Sequence, residues 1–210
     1  MRTVLHCDRM DLLFDSLLAS LGLGAGLSGF SGLRAFLPIG IVGLITRYDL
    51  FGAFDLTGTR FEILENPWVI GALLLLAVFE IIGDKLPLVD SALDLIAWPI
   101  RIFAGAVIFG AALAQQDPGV TAAGMVGGGA IAATANAVKS IIRPAATVTG
   151  GGTLNPFISF FEDMTAVLGT LVVLLVPILG LLVVAFLIFL VYRMRKIKRR
   201  KYKGLRILKE

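Results

Sequence analysis

Long apolar runs separated by short polar stretches dominate the chain, and their lengths predict helices that cross a hydrocarbon layer. The first, LGLGAGLSGFSGLRAFLPIGIVGLI, covers residues 21–45. Roughly 20 apolar residues at 1.5 Å each span a ~30 Å core, so this run predicts one crossing. Its glycines and serines form a smooth face for close helix packing. Residues 48–66 make a polar connection, and Asn66-Pro67 reads as a helix cap with a first-turn proline, opening a second crossing from Trp68 to about Asp84. A third is predicted from Leu93 to Ala114, with Pro99 and Arg101 near its start. QQDPG turns the chain into a fourth, about Val120 to Ile142, which carries another small-residue face, GMVGGGAIAATANAV. PAATVTGGGTLN then reads as a glycine-rich connection. Asn155-Pro156 repeats the cap signal, and Pro177 to Gly180 divides residues 156–193 into two short crossings in place of one overlong helix. The predicted fold class is all-α: a polytopic membrane protein of about six transmembrane helices.

Ahead of these runs, DLLFDSLLASLG (11–22) repeats Leu and Phe at helical spacing with acids between them. That pattern predicts an interfacial segment over residues 1–20, since acids interrupt the apolar stretch a signal peptide would need. Met10 offers a second start. The expected organisation is therefore this segment, a single membrane domain over 21–192 with halves of about 21–115 and 120–192, and a basic tail over 193–210.

Composition agrees with the pattern. The chain is 57% hydrophobic and 16% charged, with a mean hydropathy of +0.90, whereas soluble domains carry about a quarter charged residues. One cysteine, Cys7, allows no internal disulfide, and one histidine, His6, excludes a multi-histidine metal cage. No nucleophile and base stand in a catalytic pattern, so neither an enzyme nor a cofactor is expected. TGGGT (149–153) lacks the Gly-Lys-Ser/Thr that completes a phosphate loop.

Charge orients the predicted helices. The tail RMRKIKRRKYKGLRILKE holds ten Lys or Arg and one acid, which marks a cytoplasmic side. With six crossings both termini are then cytoplasmic, in a multi-pass inner-membrane protein. Such a tail attracts anionic lipid at ~1 kcal/mol per basic residue, and without an aromatic platform it is not expected to bind nucleic acid. The small-residue faces suit internal packing or a homo-oligomer.

GLRAFL (32–37) and AVKSII (137–142) share the order small, aliphatic, basic, small, apolar, apolar. Each segment follows a glycine-rich opening and precedes an Asn-Pro helix start. Three crossings per half would insert the second upside down, the inverted-repeat plan of many transporters.

Charged side chains within the runs are the candidate chemistry. Glu80 lies ~20 Å beyond Pro67 along a helix, and Glu162 ~9 Å beyond Pro156. An ionised side chain at mid-membrane costs roughly 2.5 to 3.5 kcal/mol even on a mild scale, so each needs a partner or water. The expected ion path comprises Glu80, Asp84, Glu162 and Asp163, with Asp90, Asp94 and Asn155. Its charge partners are Arg34, Lys139, Arg101 and Arg143. Arg34 is expected to meet Glu80 or Asp84, and Lys139 to meet Glu162 or Asp163. Hard cations want several oxygen ligands, which makes Glu80, Asp84, Glu162 and Asp163 the metal-site candidates. These residues predict a secondary transporter or channel for a small ion, preferably a divalent or proton-coupled cation. The alternatives are a non-transporting scaffold with structural ion pairs, or a carrier of an anionic or small organic solute.

GLSGFSGLRAFLP, EIIGDKLPLVDSALD and GGGTLNPFISFFED together resemble the prokaryotic membrane family known as domain of unknown function 4126, over about residues 20–190. That resemblance implies an architecture and no activity. More locally, Glu80-Ile-Ile-Gly-Asp84-Lys85 is similar to the Glu-x-Gly-Asp-Lys-Ser/Thr signature of duplicated calcium/manganese exchangers. It carries one extra residue and has Leu86 in place of the hydroxyl residue, while the second half keeps only Phe-Glu162-Asp163. The insertion turns Glu80 about 100° relative to Asp84 and Lys85 on a helix.

Overall fold

A computed structural model of the chain describes residues 17–50, 56–84, 87–150 and 155–207, with side chains described over 17–50, 56–84, 97–141 and 157–196. Of the interfacial segment expected over residues 1–20, residues 1–16 lie outside the described residues and 17–20 open the first helix; residues 151–154, within the expected glycine-rich connection, also lie outside them. Seven α-helices follow one another: α1 (Leu17–Ser31), α2 (Phe36–Arg47), α3 (Pro67–Gly83), α4 (Pro87–Ala112), α5 (Pro118–Gly150), α6 (Asn155–Leu175) and α7 (Ile178–Ile207). A short 3-10 turn, Glu62–Glu65, precedes α3, and no strand occurs among the described residues.

The first apolar run is not one helix. It breaks after Ser31 and restarts at Phe36, and Pro38 supplies a reason. In a continuous helix Pro38 could not donate to the Arg34 carbonyl and its ring would strike it, whereas in the first turn of a new helix its missing N–H costs nothing. The chain also reverses here. A side chain at Gly43 would meet Leu64, and the nearby Phe61 reaches Gly110, one residue from the Phe109 ring packed on Gly24. The end of α2 therefore lies back beside the start of α1, and Arg34 sits at the tip of a helical hairpin. Hydropathy reads both arms as apolar and cannot see the reversal.

Most other boundaries follow the pattern. Asn66 accepts from the Trp68 N–H at 2.9 Å and caps α3. Asn66→Ala is expected to cost about 1 kcal/mol, read as a lowered unfolding midpoint in detergent; no change would mean that Pro67 alone sets the start. α4 begins six residues earlier than expected and carries Pro99 inside it, while α5 stays helical to Gly150, well into the stretch 144–155 expected to be a loop. Pro177 divides α6 from α7 as predicted.

α1 is the central helix. Gly24 meets Phe109 of α4, Gly26 meets Val173 of α6 and Gly180 of α7, and Gly32 meets Ala132 of α5. The small-residue faces of the first and fourth apolar runs thus meet each other inside the bundle. Ser28 Oγ donates to the Gly105 carbonyl at 2.8 Å, which with the Gly24–Phe109 contact sets α1 antiparallel to α4. Phe30 against Gly169 and Arg34 against Asp163 set it antiparallel to α6.

The exterior is apolar. On α6, Phe157, Phe160, Phe161, Met164, Leu168 and Leu175 face outward while Ser159, Ala166 and Thr170 are buried. Phe157–Leu175 and Ile178–Lys196 are long and apolar enough to cross a membrane, and four shorter apolar helices accompany them.

Candidate functional site: a buried ion-pair network

Tight reversal at the hairpin tip leaves backbone groups that no helix satisfies, and buried polar groups of this kind need partners. Charged side chains supply them. Glu80, near the end of α3, accepts the Ala35 N–H on Oε1 at 3.1 Å and the Phe36 N–H on Oε2 at 3.4 Å, at the start of α2. A carboxylate is favoured at a helix N-terminus. At the other side of the tip, Lys139 Nζ donates to the Leu33 carbonyl at 3.2 Å, just past the end of α1, where a cation is favoured.

The same groups form ion pairs with one another. Arg34 Nη1 donates to Asp84 Oδ2 at 2.5 Å and to the Glu80 backbone carbonyl at 3.2 Å. Its Nη2 lies 2.5 Å from Asp163 Oδ1 and donates to Ser159 Oγ at 3.2 Å. Lys139 Nζ is 3.4 Å from the same Asp84 oxygen and 3.1 Å from Glu162 Oε2. From α4, Arg101 donates through Nε and Nη2 to Glu80 Oε1 at 3.3 Å, and through Nη1 to Asn136 Oδ1 at 2.8 Å.

Burial is deep throughout. The side chains of Arg34, Arg101, Lys139 and Asp84 are at most 2% exposed, and those of Glu162 and Asp163 are 14% exposed. Desolvating such groups costs several kcal/mol per ion, recovered only with close pairing and further hydrogen bonds. Asp84 is the hub, since one of its oxygens faces two cations.

The expected partnerships hold for Arg34 with Asp84 and Lys139 with Glu162, and two further pairs, Arg34–Asp163 and Lys139–Asp84, join the halves of the chain. Glu80 pairs with Arg101, and touches Arg34 only through its backbone carbonyl. The side chains of Asp90, Asp94, Arg143 and Asn155 lie outside the described residues. Among the described residues no group of three or more His, Cys, Asp or Glu is arranged to hold a metal. Each proposed ligand of the expected metal site instead faces a basic side chain.

Two contributors escaped the sequence reading. Asn136 and Ser159 are neutral and common in type, yet each stands three or four residues before a charged member, on the same helix face: Asn136 before Lys139, Ser159 before Asp163.

No curated protein and no solved structure matches the chain, so the likeness to cation exchangers gains no support. A family model does match, that of the domain of unknown function DUF4126, over residues 21–196 of 210, and the chain belongs to that family.

Proposed function

We propose that the protein is a multi-pass membrane transporter or channel for a small ion, with protons exchanged at the buried carboxylates. The observation that carries this reading is the pairing of an apolar exterior with a charged interior. Phe161 is 67% exposed while Arg34 is 0% exposed, the reverse of a water-soluble domain and the arrangement that hydrocarbon favours. Intramembrane ionisable groups facing a bundle interior commonly mark ion or proton pathways. Among cations the proton suits this site best, because the described carboxylates face basic side chains and, among the described residues, no three acids gather as divalent ligands.

In this reading the basic end of α7 is cytoplasmic. Gly26 and Gly29 of α1 pack on Gly180 and Val183 of α7, which makes the two helices parallel, so the start of α1 takes the outer side. That differs from the expectation of two cytoplasmic termini, and the hairpin is the cause, because it adds one reversal to the six crossings predicted. The inverted repeat then comprises α2–α4 against α5–α7. Arg34 and Lys139 each meeting carboxylates from both halves supports it. The tail beyond Tyr192 would lie against anionic lipid.

A scaffold with structural ion pairs is the second reading, favoured by Glu80 and Lys139 satisfying the backbone of the hairpin tip. Proteoliposomes separate the two. Reconstituted protein is expected to dissipate an imposed pH gradient, and Glu80→Gln to slow that movement at least tenfold while retaining a monodisperse fold. Absence of proton, sodium, potassium or chloride flux in folded wild-type protein would reject transport and leave the scaffold.

A further inference from the structure

Glu80 occupies a position that resembles a bound ligand more than a member of a salt bridge. Its two carboxylate oxygens take two backbone N–H groups from the start of α2 and two N–H groups from the buried Arg101 guanidinium. Four converging donors on one carboxylate, at the N-terminus of a 12-residue helix, make a seat for an anion.

A further donor at the hairpin stands unused. Ser31, at the end of α1, is fully buried and its Oγ has no hydrogen-bond partner. Its direction follows from the packing of α1. Gly24 meets Phe109 and Ser28 bonds the Gly105 carbonyl, so successive α1 levels run down α4 and the level of residues 31–32 falls at Arg101. At about 100° per residue, Ser31 points within roughly 60° of Ser28 and turns away from Gly32. Gly32 is the residue that meets α5. On the side to which Ser31 turns, Leu23 and Leu27 join the core containing Val42 and Ile45 of α2. The Ser31 hydroxyl is therefore aimed between α4 and α2, where Arg101 and the first N–H groups of α2 hold Glu80. Buried hydroxyls are rarely left unpaired, and here the missing partner is an acceptor placed slightly differently from the Glu80 carboxylate.

We propose that the start of α2, Arg101 and Ser31 form a binding seat for a small monovalent anion, which Glu80 fills with its own carboxylate and yields in exchange. The seat has the dimensions of a single carboxylate, so halides and formate fit it and polyatomic divalent anions do not. The proposal rests on reading the network as an ion path, and it makes the transported or counter-transported species an anion that alternates with Glu80. It also gives Arg101 a role beyond neutralising one acid.

Vacating the seat tests it. In detergent, Glu80→Ala protein titrated with sodium bromide or sodium formate, against sodium gluconate at equal ionic strength, is expected to show a saturable rise of several degrees in its unfolding midpoint. Wild type should show no such rise, and Arg101→Met added to Glu80→Ala should abolish it. A Glu80→Ala protein that responds to all three salts alike, or a double variant that still responds, overturns the seat. Where Glu80→Ala does not fold, Glu80→Gln, neutral and similar in size, is assayed by equilibrium dialysis with radiolabelled bromide. Binding no greater than that of wild type overturns the proposal in the same way. Saturable anion binding in a protein that moves no ion supports the seat and rejects transport, whereas proton flux without anion binding rejects the seat alone.

Discussion

Replacing Asp84 with asparagine is expected to destabilise the fold by about 3–5 kcal/mol, the usual consequence of removing one partner from a buried ion pair. The loss is large because Asp84 Oδ2 faces both Arg34 and Lys139, and neither can swing to solvent from positions at most 2% exposed. Asparagine keeps the size and one acceptor oxygen, so lost charge is the main perturbation, joined by an NH2 donor where a second acceptor oxygen stood. The measurement is the urea or thermal unfolding of purified Asp84→Asn protein in mild detergent. Adding Lys139→Met should recover part of the loss by removing one of the two cations that Asp84 faces, although it also takes a cation away from Glu162. A change below 1 kcal/mol for Asp84→Asn would mean that water reaches the network, and would remove the argument for a dry, closed hub.

Gly180→Ala is expected to be the most damaging methyl group that can be added to the described exterior helices. A Cβ at Gly180 would overlap the Gly22 carbonyl and crowd the Gly26 nitrogen, so two backbones would have to separate, with no side chain able to rotate away. Overpacking costs roughly 1–3 kcal/mol where side chains can adjust, and a backbone contact belongs at the upper end or beyond. Gly71→Ala is the control: a Cβ there meets nothing within 4 Å, and in a helix interior alanine gains about 0.5–1 kcal/mol over glycine. The two substitutions should therefore shift the unfolding midpoint in opposite directions. A Gly180→Ala protein as stable as wild type would show that α7 does not sit against α1 as closely as this contact requires.

Much of this arrangement was legible before folding. Apolar run lengths located α3, α6 and the start of α7 to within a few residues, because a helix that buries or exposes only apolar side chains writes its length directly into composition; α7 continues as a helix through the basic stretch to Ile207. Asn66-Pro67 announced its own helix start, since both cap and proline act within one turn. Charges in those runs marked Glu80, Asp84, Glu162, Asp163, Arg34 and Lys139, because an ionised group in such surroundings is too costly to be incidental.

The hairpin at Gly32–Ala35 was not legible by length, although Pro38 carried the local signal against a continuous helix. Partner choice inside the network was legible only in part. Arg34 could be assigned to Glu80 or Asp84 by sequence distance, but its second partner, Asp163, lies 129 positions away in the chain and is reached through the antiparallel packing of α1 on α6. Arg101 and Glu80 sit on successive long helices whose relative rotation no local pattern specifies. Asn136 and Ser159 carry no charge to draw notice and become contributors only when Arg101 and Arg34 arrive beside them.

By itself, then, the sequence determined that the chain is helical, strongly apolar and punctuated by a few charges that must be compensated. These are properties of side-chain transfer energy and of short-range caps, which each segment carries wherever it goes. Tertiary structure decided that the first apolar run folds back on itself, that Glu80 closes the start of α2, and that Asp84 is shared by two cations. Those outcomes depend on close glycine contacts among α1, α4, α5 and α7, which set the distances between charges that lie on different helices.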